Sequence, residues 1–306
     1  MIELDESCLP HRCDPQIKPR DMLLTEFSKM FENIQNGNLR KSTMVRIYRP
    51  AFESFRKLVG DRNLREYTPL DVELFKSRRL ETCAPTTVNI EFRALKAAFS
   101  LAVRLELIGA SPFVKSSQLK VPDQLPLFLS EHEFRRLLGA VAEDRLKDLF
   151  VFAGLTGMRQ GEILHLDWQS VEFERKLILV TNTRGFLTKN GKCRTIPMNE
   201  TVHGILARLR ASSADCGYVF ESAGKPLTQS YVSHKFKHYV RVAGLNDRLK
   251  FHSLRHTFAS WLVKKDVSIY QVQVLLGHSD VKTTQRYAHL AGAEMHSTVK
   301  RIDLAL

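Results

Sequence analysis

The feature that most constrains the fold is a proline-rich stretch between two helical patterns. Residues 109–130 contain three prolines and have the composition of an interdomain linker. A chain of 306 residues is long enough for two domains of ordinary size, each with its own core. We therefore expect a flexible tail over residues 1–21, a helical domain over 22–112, a linker over 113–130 and a second domain over 131–306.

Hydrophobic residues in the first of these domains recur at the spacing of amphipathic helices. A first helix would place Leu23, Phe27, Met30 and Phe31 on one face. Thr68-Pro69 and Pro85 are typical helix starts, because proline fits the first helical turn. With a further helix from about Ser42, this pattern predicts a small domain of four helices.

The second domain is also mostly helical, with one exception. The segments LILVTNT and CRTIPM, at residues 177–183 and 193–198, have the composition of strands. Between them, Asn190-Gly191 is a strong signal for a β-hairpin. We therefore expect a mainly α fold with a small β-sheet.

Charge is the most informative part of the composition. Lysine and arginine number 46 against 33 aspartates and glutamates, which gives a formal net charge of +13 and a pI near 9.6. Such a surplus favours a polyanionic partner, because each phosphate that the protein neutralises releases a condensed counterion. A membrane surface is a weaker alternative, since no basic amphipathic anchor stands out. Charge therefore indicates nucleic acid and leaves the chemistry open.

Cysteine usage and the N-terminal sequence bear on location. Five scattered cysteines, an odd number, argue against a disulfide framework. Cys8, His11 and Cys13 lie close together, but their spacing fits no closed zinc site well, and we expect no metal there. The N-terminus does not resemble a secretory signal, and no segment is apolar enough to span a bilayer. The cytoplasm is the expected location.

Two segments of the second domain bring polar residues together at helical spacing. In GLTGMRQGEILHLDW, Arg159 lies near a helix N-terminus, where spare backbone donors favour an anion. Its pairing with Glu162 could equally be an ordinary surface ion pair. In FHSLRHTFASWL, His252 and Arg255 lie off the predicted buried stripe and can point at one spot, although such spacings also arise by chance.

Two further segments carry candidate nucleophilic and basic groups. In VQVLLGHSDVKTTQRYAHL, Gly277 ends a helix, His278 lies in the turn and Tyr287 follows on a new helix, where core packing is its ordinary role. Basic residues also surround the predicted hairpin turn, where they could be solvated or could reach a phosphate oxygen. They are Arg184, Lys189, Lys192 and Arg194.

The four segments, in this order along the chain, resemble the tyrosine recombinase (phage integrase) family over about residues 127–290. The parts that carry the resemblance are TGMRQGEIL, TKNGKCRTIPM, HSLRH and LLGHSDVKTTQRYAHL. The preceding helices resemble the family's four-helix, SAM-like core-binding domain, and the second domain resembles its α+β catalytic domain. The resemblance implies a site-specific DNA recombinase. Such an enzyme cleaves and rejoins DNA through a 3′-phosphotyrosine and exchanges strands through a Holliday junction.

The resemblance also implies a role for each candidate residue. These roles are phosphate binding by Arg159 and Arg255, nucleophilic attack by Tyr287, uptake of its proton by His252, protonation of the departing 5′-oxygen by Lys189, a hydrogen bond to the phosphate from His278, and orientation of neighbours by Glu162. Lys192 is an alternative to Lys189 on the same hairpin. No metal or other cofactor is implied, because a phosphotyrosine preserves the energy of the phosphodiester.

Both domains are expected to contact double-stranded DNA, mostly at phosphates. The candidates are Arg46, Arg49, Thr86, Thr87, Arg93 and Lys96 in the first domain, and Arg184, Lys192 and Arg194 in the second. For each, a solvated surface is the alternative. By the resemblance, the segment with Met295, Val299 and Ile302 docks on a neighbouring protomer. The expected assembly is a homo-tetramer on two recombination sites, associated with the nucleoid and open to an accessory directionality protein.

Two alternatives remain at this stage. They are relaxation of DNA by a type IB topoisomerase-like enzyme, and a non-catalytic DNA-binding protein of the same fold. The Gly-His turn and the helical first domain favour the recombinase over the topoisomerase, and the presence of all six expected positions argues against the non-catalytic protein. Residues 1–21 leave no room for an arm-binding domain, so we expect a simple two-domain enzyme, Xer-like or from a mobile element.

Overall fold

The chain forms two compact units that divide at residues 123/124, each with its own hydrophobic core. The computed structural model describes residues 21–122, 125–182, 193–212, 217–222 and 224–291. Across these ranges, no helix is both long and apolar enough to cross a membrane.

The first unit is a bundle of helices. They are α1 (Leu24–Ile34), α2 (Lys41–Thr43), α3 (Arg49–Val59), α4 (Pro69–Leu80) and α5 (Pro85–Arg104), with a π-helical segment at Met44–Tyr48 and a 3₁₀ turn at Leu64–Glu66. Both predicted proline starts are confirmed. The Thr68 hydroxyl accepts a hydrogen bond from the Asp71 N–H, and the Asp71 carboxylate accepts one from the Thr68 N–H, which satisfies two backbone donors at the start of α4.

The predicted apolar face of α1 is correct at three of its four positions, and at one of them Met30 is half-buried against the core. Phe27 and Phe31 are buried, but Leu23 is 43% exposed. The reason is that Leu23 is the extended residue that precedes the helix, so its side chain does not follow the helical repeat. Leu24, the first residue of α1, is buried in its place.

The core of the first unit is rich in aromatic rings and extends beyond residue 112. Phe113 is fully buried, with its ring centroid 5.1 Å from that of Phe99 and 5.8 Å from that of Phe55. Further along, the side-chain amide of Asn89 both donates to and accepts from the backbone of Leu119, at 2.9 and 2.8 Å. The stretch that the sequence suggested as linker therefore begins with residues held by the first unit.

The second unit is a helical domain with two small antiparallel sheets. Its helices are α6 (Glu131–Ala140), α7 (Asp144–Thr156), α8 (Gln160–Leu164), α9 (Glu200–Ala211), α10 (Gln229–Val242), α11 (Ser253–Lys264), α12 (Ile269–Leu276) and α13 (Lys282–Gln285). The first sheet contains β1 (Val171–Glu172), β2 (Leu177–Val180) and β3 (Arg194–Pro197), and the second contains β4 (Glu221–Ser222) and β5 (Lys225–Pro226). The predicted fold class, mainly α with a small β-sheet, is confirmed.

The two predicted strands pair with each other as expected. Strands β2 and β3 are antiparallel, and Val180 lies opposite Arg194 at the end that leads into the turn. The turn itself, residues 183–192, lies outside the described residues. Packing of the second unit begins before α6, because Leu129 is buried and its N–H donates to the Thr257 hydroxyl at 2.9 Å.

Helices α11 and α12 and the chain after α13 enclose a small separate core. It consists of Ala259, Val263, Val272, Leu276 and Tyr287. This cluster brings the candidate nucleophile against α11, the helix that carries Arg255 and His256.

Candidate active site

Arg159 is positioned by a tight junction between α7 and α8. Gly157 ends α7 in the left-handed region at φ 61°, and a Cβ there would lie 2.3 Å from the Phe258 ring. Only glycine fits both conditions. Arg159 then takes the position before α8, and its Nη1 donates to Glu162 Oε1 at 2.9 Å. The predicted pair therefore forms, but Glu162 is a buried partner, with a side chain only 1% exposed.

Glu162 accepts from two arginines at once. Its Oε2 accepts from the Arg159 N–H at 2.9 Å and from Arg194 Nη2 at 2.7 Å, and its Oε1 also accepts from Arg194 Nη1 at 3.1 Å. Burial alone would raise the pKa of Glu162. The hydrogen bonds and charge of Arg194, followed by those of Arg159, outweigh burial and lower this pKa to about 2. Glu162 is thus a fixed anion between two cations.

Arg255 lies deeper in the site than the sequence suggested. It is 3% exposed, and its Nη1 and Nη2 donate to the carbonyls of Gly157 and Leu276 at 2.7 and 2.6 Å. Burial, and then the charge of Arg159, lower its pKa to about 9. The two carbonyls that accept from this buried guanidinium are neutral, so they do not cancel its charge.

His278 lies directly after α12, as predicted. Gly277 ends the helix at φ 64°, and the imidazole Nδ1 of His278 forms a 2.8 Å hydrogen bond with the buried Thr284 hydroxyl. Burial, and then the charge of Arg255, lower the pKa of His278 to about 4. At neutral pH this ring is therefore uncharged, and a bound phosphate would raise its pKa.

Tyr287 is buried, with 1% exposure, and its hydroxyl lies 2.5 Å from His256 Nδ1. Burial raises the pKa of Tyr287 to about 12, so the phenol keeps its proton. Burial, and then the nearby His252, lower the pKa of His256 to about 3, so its ring is neutral. A neutral phenol donates better than it accepts, and we assign the hydroxyl as donor and Nδ1 as acceptor.

His256 is therefore a residue that the sequence reasoning missed. The predicted proton acceptor, His252, is exposed and lies before α11, with its ring centroid 4.9 Å from that of His256. The ring in contact with the tyrosine hydroxyl lies four residues further on, one helical turn from His252. The signal was present in HSLRH, where a second histidine follows Arg255 directly.

The basic residues predicted around the hairpin have different outcomes. Arg184, Lys189 and Lys192 lie outside the described residues. The side chain of Arg194 is 10% exposed and donates to Glu162 and to the Leu275 carbonyl, and its contact with DNA stays a prediction. A guanidinium held by three such bonds has little left to offer a DNA phosphate.

The candidate DNA contacts of the first unit are on its surface. Arg46, Thr86 and Arg93 are exposed, and Thr87 is half-buried. Lys96 is half-buried, with its Nζ 5.8 Å from the centroid of the Phe92 ring. Arg49 is 56% exposed and forms an ion pair with Glu32. Their contact with DNA stays a prediction.

The two terminal features lie outside the described part of the chain. Cys8, His11 and Cys13 belong to residues 1–20, and the segment with Met295 belongs to residues 292–306. Over the ranges that the structure does describe, no cluster of histidine, cysteine and acidic side chains could hold a metal ion.

Comparison with known proteins agrees with the geometry. A sequence model of the phage integrase family matches residues 127–294. Tyrosine recombinase XerC of Pediococcus pentosaceus is 27% identical over 269 residues, which cover 82% of this chain and 87% of the relative. Tyrosine recombinase XerD of Proteus mirabilis is 31% identical over 241 residues, which cover 73% and 74%.

A solved structure extends the likeness to both units. The Tn1549 transposon integrase, solved in complex with transposon right end DNA, matches with a TM-score of 0.74 at 21% identity, and covers 92% of this chain and 99% of that one. This match shows the fold, and the family model and the relatives show the family. The family resemblance inferred from the four sequence segments is confirmed: the chain belongs to the phage integrase family and is a site-specific tyrosine recombinase.

Proposed function

We propose that this chain cuts one DNA strand with Tyr287 and rejoins it to a different 5′-hydroxyl, with Arg159 and Arg255 binding the scissile phosphate. The observation that carries this proposal is the charge of the site. The site holds three guanidinium groups, of Arg159, Arg194 and Arg255, and one carboxylate, that of Glu162, which leaves a net charge of 3 − 1 = +2. A buried excess of positive charge favours an anion, and the pentacoordinate transition state of phosphoryl transfer carries more negative charge than the phosphodiester.

In the proposed reaction, Tyr287 Oη attacks phosphorus as the bond from phosphorus to the 5′-oxygen breaks. The product is a 3′-phosphotyrosine and a free 5′-hydroxyl. Lys189 donates the proton to the departing oxygen, and His278 hydrogen-bonds the phosphate. Return attack by another strand's 5′-hydroxyl restores the phosphodiester, so neither a metal nor a nucleotide is required.

The contact between Tyr287 and His256 corresponds to a resting arrangement. The hydroxyl is buried and donates to a neutral imidazole, so it must leave His256 to reach a phosphate. By the resemblance, His252 takes the phenolic proton. The geometry adds His256 as a second candidate, and a bound phosphate would raise the pKa of either ring.

Double-stranded recombination sites are the proposed partner of both units. The net charge of +13 and the exposed basic residues of the first unit support this, as does the DNA held by the Tn1549 integrase. We further propose that the active form is a homo-tetramer on two sites, assembled through the segment after residue 291. Its proposed location is the nucleoid in the cytoplasm, and an accessory protein is proposed to set the direction of recombination. The family matches do not favour the topoisomerase and non-catalytic alternatives.

The decisive experiment traps the covalent intermediate. Nicked duplexes made from the source organism's genomic fragments are incubated with the protein, and covalent adducts are isolated and sequenced. We expect adducts with the wild type and with Tyr270→Phe, an exposed tyrosine on α12, and none with Tyr287→Phe. Adducts that persist in Tyr287→Phe would exclude it as the nucleophile.

The trapped sequences then separate recombinase from topoisomerase. Two copies of the site in one plasmid should recombine, whereas relaxation of a plasmid that lacks the site, without recombination, would favour the topoisomerase.

A further inference from the structure

Three arginines meet at the C-terminal end of α12. Arg194 Nε donates to the carbonyl of Leu275 at 3.0 Å, Arg255 Nη2 to that of Leu276 at 2.6 Å, and Arg159 Nη2 to that of Gly277 at 3.2 Å. The last carbonyls of a helix have no donor within the helix and lie at the negative end of its dipole. Three consecutive carbonyls are thus occupied by three arginines from separate elements, directly before His278.

Arg194 differs from the other two in what its guanidinium can reach. It is the first residue of β3, and its Nη1 and Nη2 bind both oxygens of Glu162 in a fork. The same carboxylate holds Arg159 through its side chain and its backbone N–H. Arg194 is also packed against the helix end, because a Cβ on Gly277 would lie 2.8 Å from Arg194 Cδ. Arg194 therefore links β3, α8 and the turn that carries His278.

We propose that Arg194 is a positioning residue for recombination: it fixes Glu162, and through Glu162 it holds the guanidinium of Arg159 and the turn of His278 in register for the scissile phosphate. It does not touch DNA. The planar guanidinium binds a carboxylate through two N–H groups and a carbonyl through a third, and so fixes the distances between three elements. A lysine, with one compact ammonium group, cannot make this set of bonds.

The inference rests on the proposed function and makes a different prediction from a DNA contact. A misplacement of about 1 Å in a site of this kind can lower the chemical rate by about 100-fold. Loss of a phosphate contact, in contrast, weakens DNA binding at every sequence and lowers the salt slope of binding by about 1. The two roles therefore separate into the rate at saturating DNA and the affinity for DNA.

The test compares Arg194→Lys and Arg194→Gln with the wild type on a nicked duplex that carries the trapped site. Arg208→Gln is the matched control, since it breaks an exposed ion pair with Asp148 in the same unit. We expect both Arg194 variants to form adducts at least about 10-fold more slowly at saturating DNA. Their DNA affinity should change by less than about threefold and their salt slope should be unchanged. The control should match the wild type in all three measurements.

Two results would overturn the inference. A lower salt slope and weaker binding, with an unchanged rate at saturation, would make Arg194 a DNA contact. A lower melting temperature, with unchanged rate and affinity for the folded protein, would make it a purely structural residue. If the wild type and Arg208→Gln themselves form no adduct, the proposed function fails and the inference falls with it, which is distinguishable from a defect confined to Arg194.

A second variant covers the case in which Arg194→Gln does not fold. Removing one partner leaves Glu162 buried with less positive charge around it, whereas Glu162→Gln/Arg194→Gln removes both charges together. We expect the double variant to fold, to bind DNA as the wild type does, and still to form adducts at least about 10-fold more slowly. A wild-type rate in this variant would show that positioning by Arg194 is not needed.

Discussion

The two units bury different chemistry at their centres. The first unit closes around aromatic rings, with Phe55, Phe99 and Phe113 fully buried. It also buries a carboxylate, Glu91, at 4% exposure, which is paired with Arg79. The second unit has an apolar core as well, but beside it Glu162, at 4% exposure, is shared by two arginines, and Arg255, at 3% exposure, donates to neutral carbonyls. Aromatic burial stabilises a fold directly, while buried charge costs free energy unless every group is paired. The difference indicates that the second unit gives up stability to hold a site for an anion.

The largest effect should follow from removing the carboxylate at the centre of the site. Glu162→Ala leaves Arg159 and Arg194 without their shared partner. We expect adduct formation to fall by about 100-fold or more, and the free energy of unfolding of the second unit to fall by roughly 3–5 kcal/mol. Single-turnover trapping and calorimetry measure the two.

Glu200→Ala is the control for this change, because that carboxylate is 83% exposed in its pair with Lys176 and should matter little. If Glu162→Ala retains the wild-type rate of adduct formation, the buried charge of the second unit is not needed for catalysis.

A change of similar cost to stability, with no effect on chemistry, is expected in the first unit. Phe113→Ala removes a ring from the aromatic core and should lower the free energy of unfolding by about 3–5 kcal/mol. The neighbouring Val114→Ala, at a side chain 68% exposed, should change it by no more than about 0.5 kcal/mol. Chemical denaturation followed by circular dichroism measures both. Equal small effects would mean that residue 113 acts as linker.

Local sequence rules predicted the elements of this chain better than its long-range contacts. Thr68-Pro69 and Gly277 mark helix ends because capping and left-handed backbone depend on the residues themselves. Phe113 was placed in a linker because its neighbours are proline and serine, whereas its burial depends on Phe55 and Phe99, which are distant in sequence.

The same limit applies to the site. The pairing of Arg159 with Glu162 was predicted because it lies within one helical turn. The capture of Glu162 by Arg194, 32 residues away, and the contact of Tyr287 with His256, 31 residues away, are tertiary contacts that no local pattern specifies. Family resemblance supplied the roles of Arg255 and Tyr287, but it did not supply their surroundings.

The two units should lose stability at different pH values when the solution is acidified. Residues 21–122 contain no histidine, while the second unit holds the half-buried His256 and His278, whose pKa values are lowered to about 3 and 4. Because these values lie below the ordinary 6.5, the unfolded chain takes up protons first, and stability falls as the pH drops below about 6.5. Glu162, with its pKa lowered to about 2, adds a loss that begins near pH 4.5 and is complete below about 2. The second unit should therefore weaken at a higher pH than the first.

Tryptophan fluorescence can follow the second unit alone, because both tryptophans of the chain, Trp168 and Trp261, belong to it. We expect the denaturant midpoint seen by fluorescence to fall between pH 7 and pH 5, and His256→Gln to reduce that fall. If the denaturant midpoint is the same at pH 7 and pH 5, the two histidines do not determine the acid sensitivity of the second unit.

The smallest effect on stability concerns an arginine of the first unit that resembles Arg194 in its bonding. Arg49 also binds a glutamate, Glu32, but its side chain is 56% exposed where that of Arg194 is 10% exposed. An exposed pair contributes little, so Arg49→Gln should change the free energy of unfolding by less than about 1 kcal/mol. An exposed guanidinium can exchange its carboxylate for a DNA phosphate, and we therefore expect Arg49→Gln to weaken DNA binding and to lower the salt slope by about 1, with the adduct rate at saturation unchanged. Arg49→Gln is measured beside Arg194→Gln because both arginines have a carboxylate partner and differ in exposure. The pair of variants tests whether an exposed arginine binds DNA and a buried one organises the site. If both variants lower the salt slope, or if neither does, burial does not make that separation.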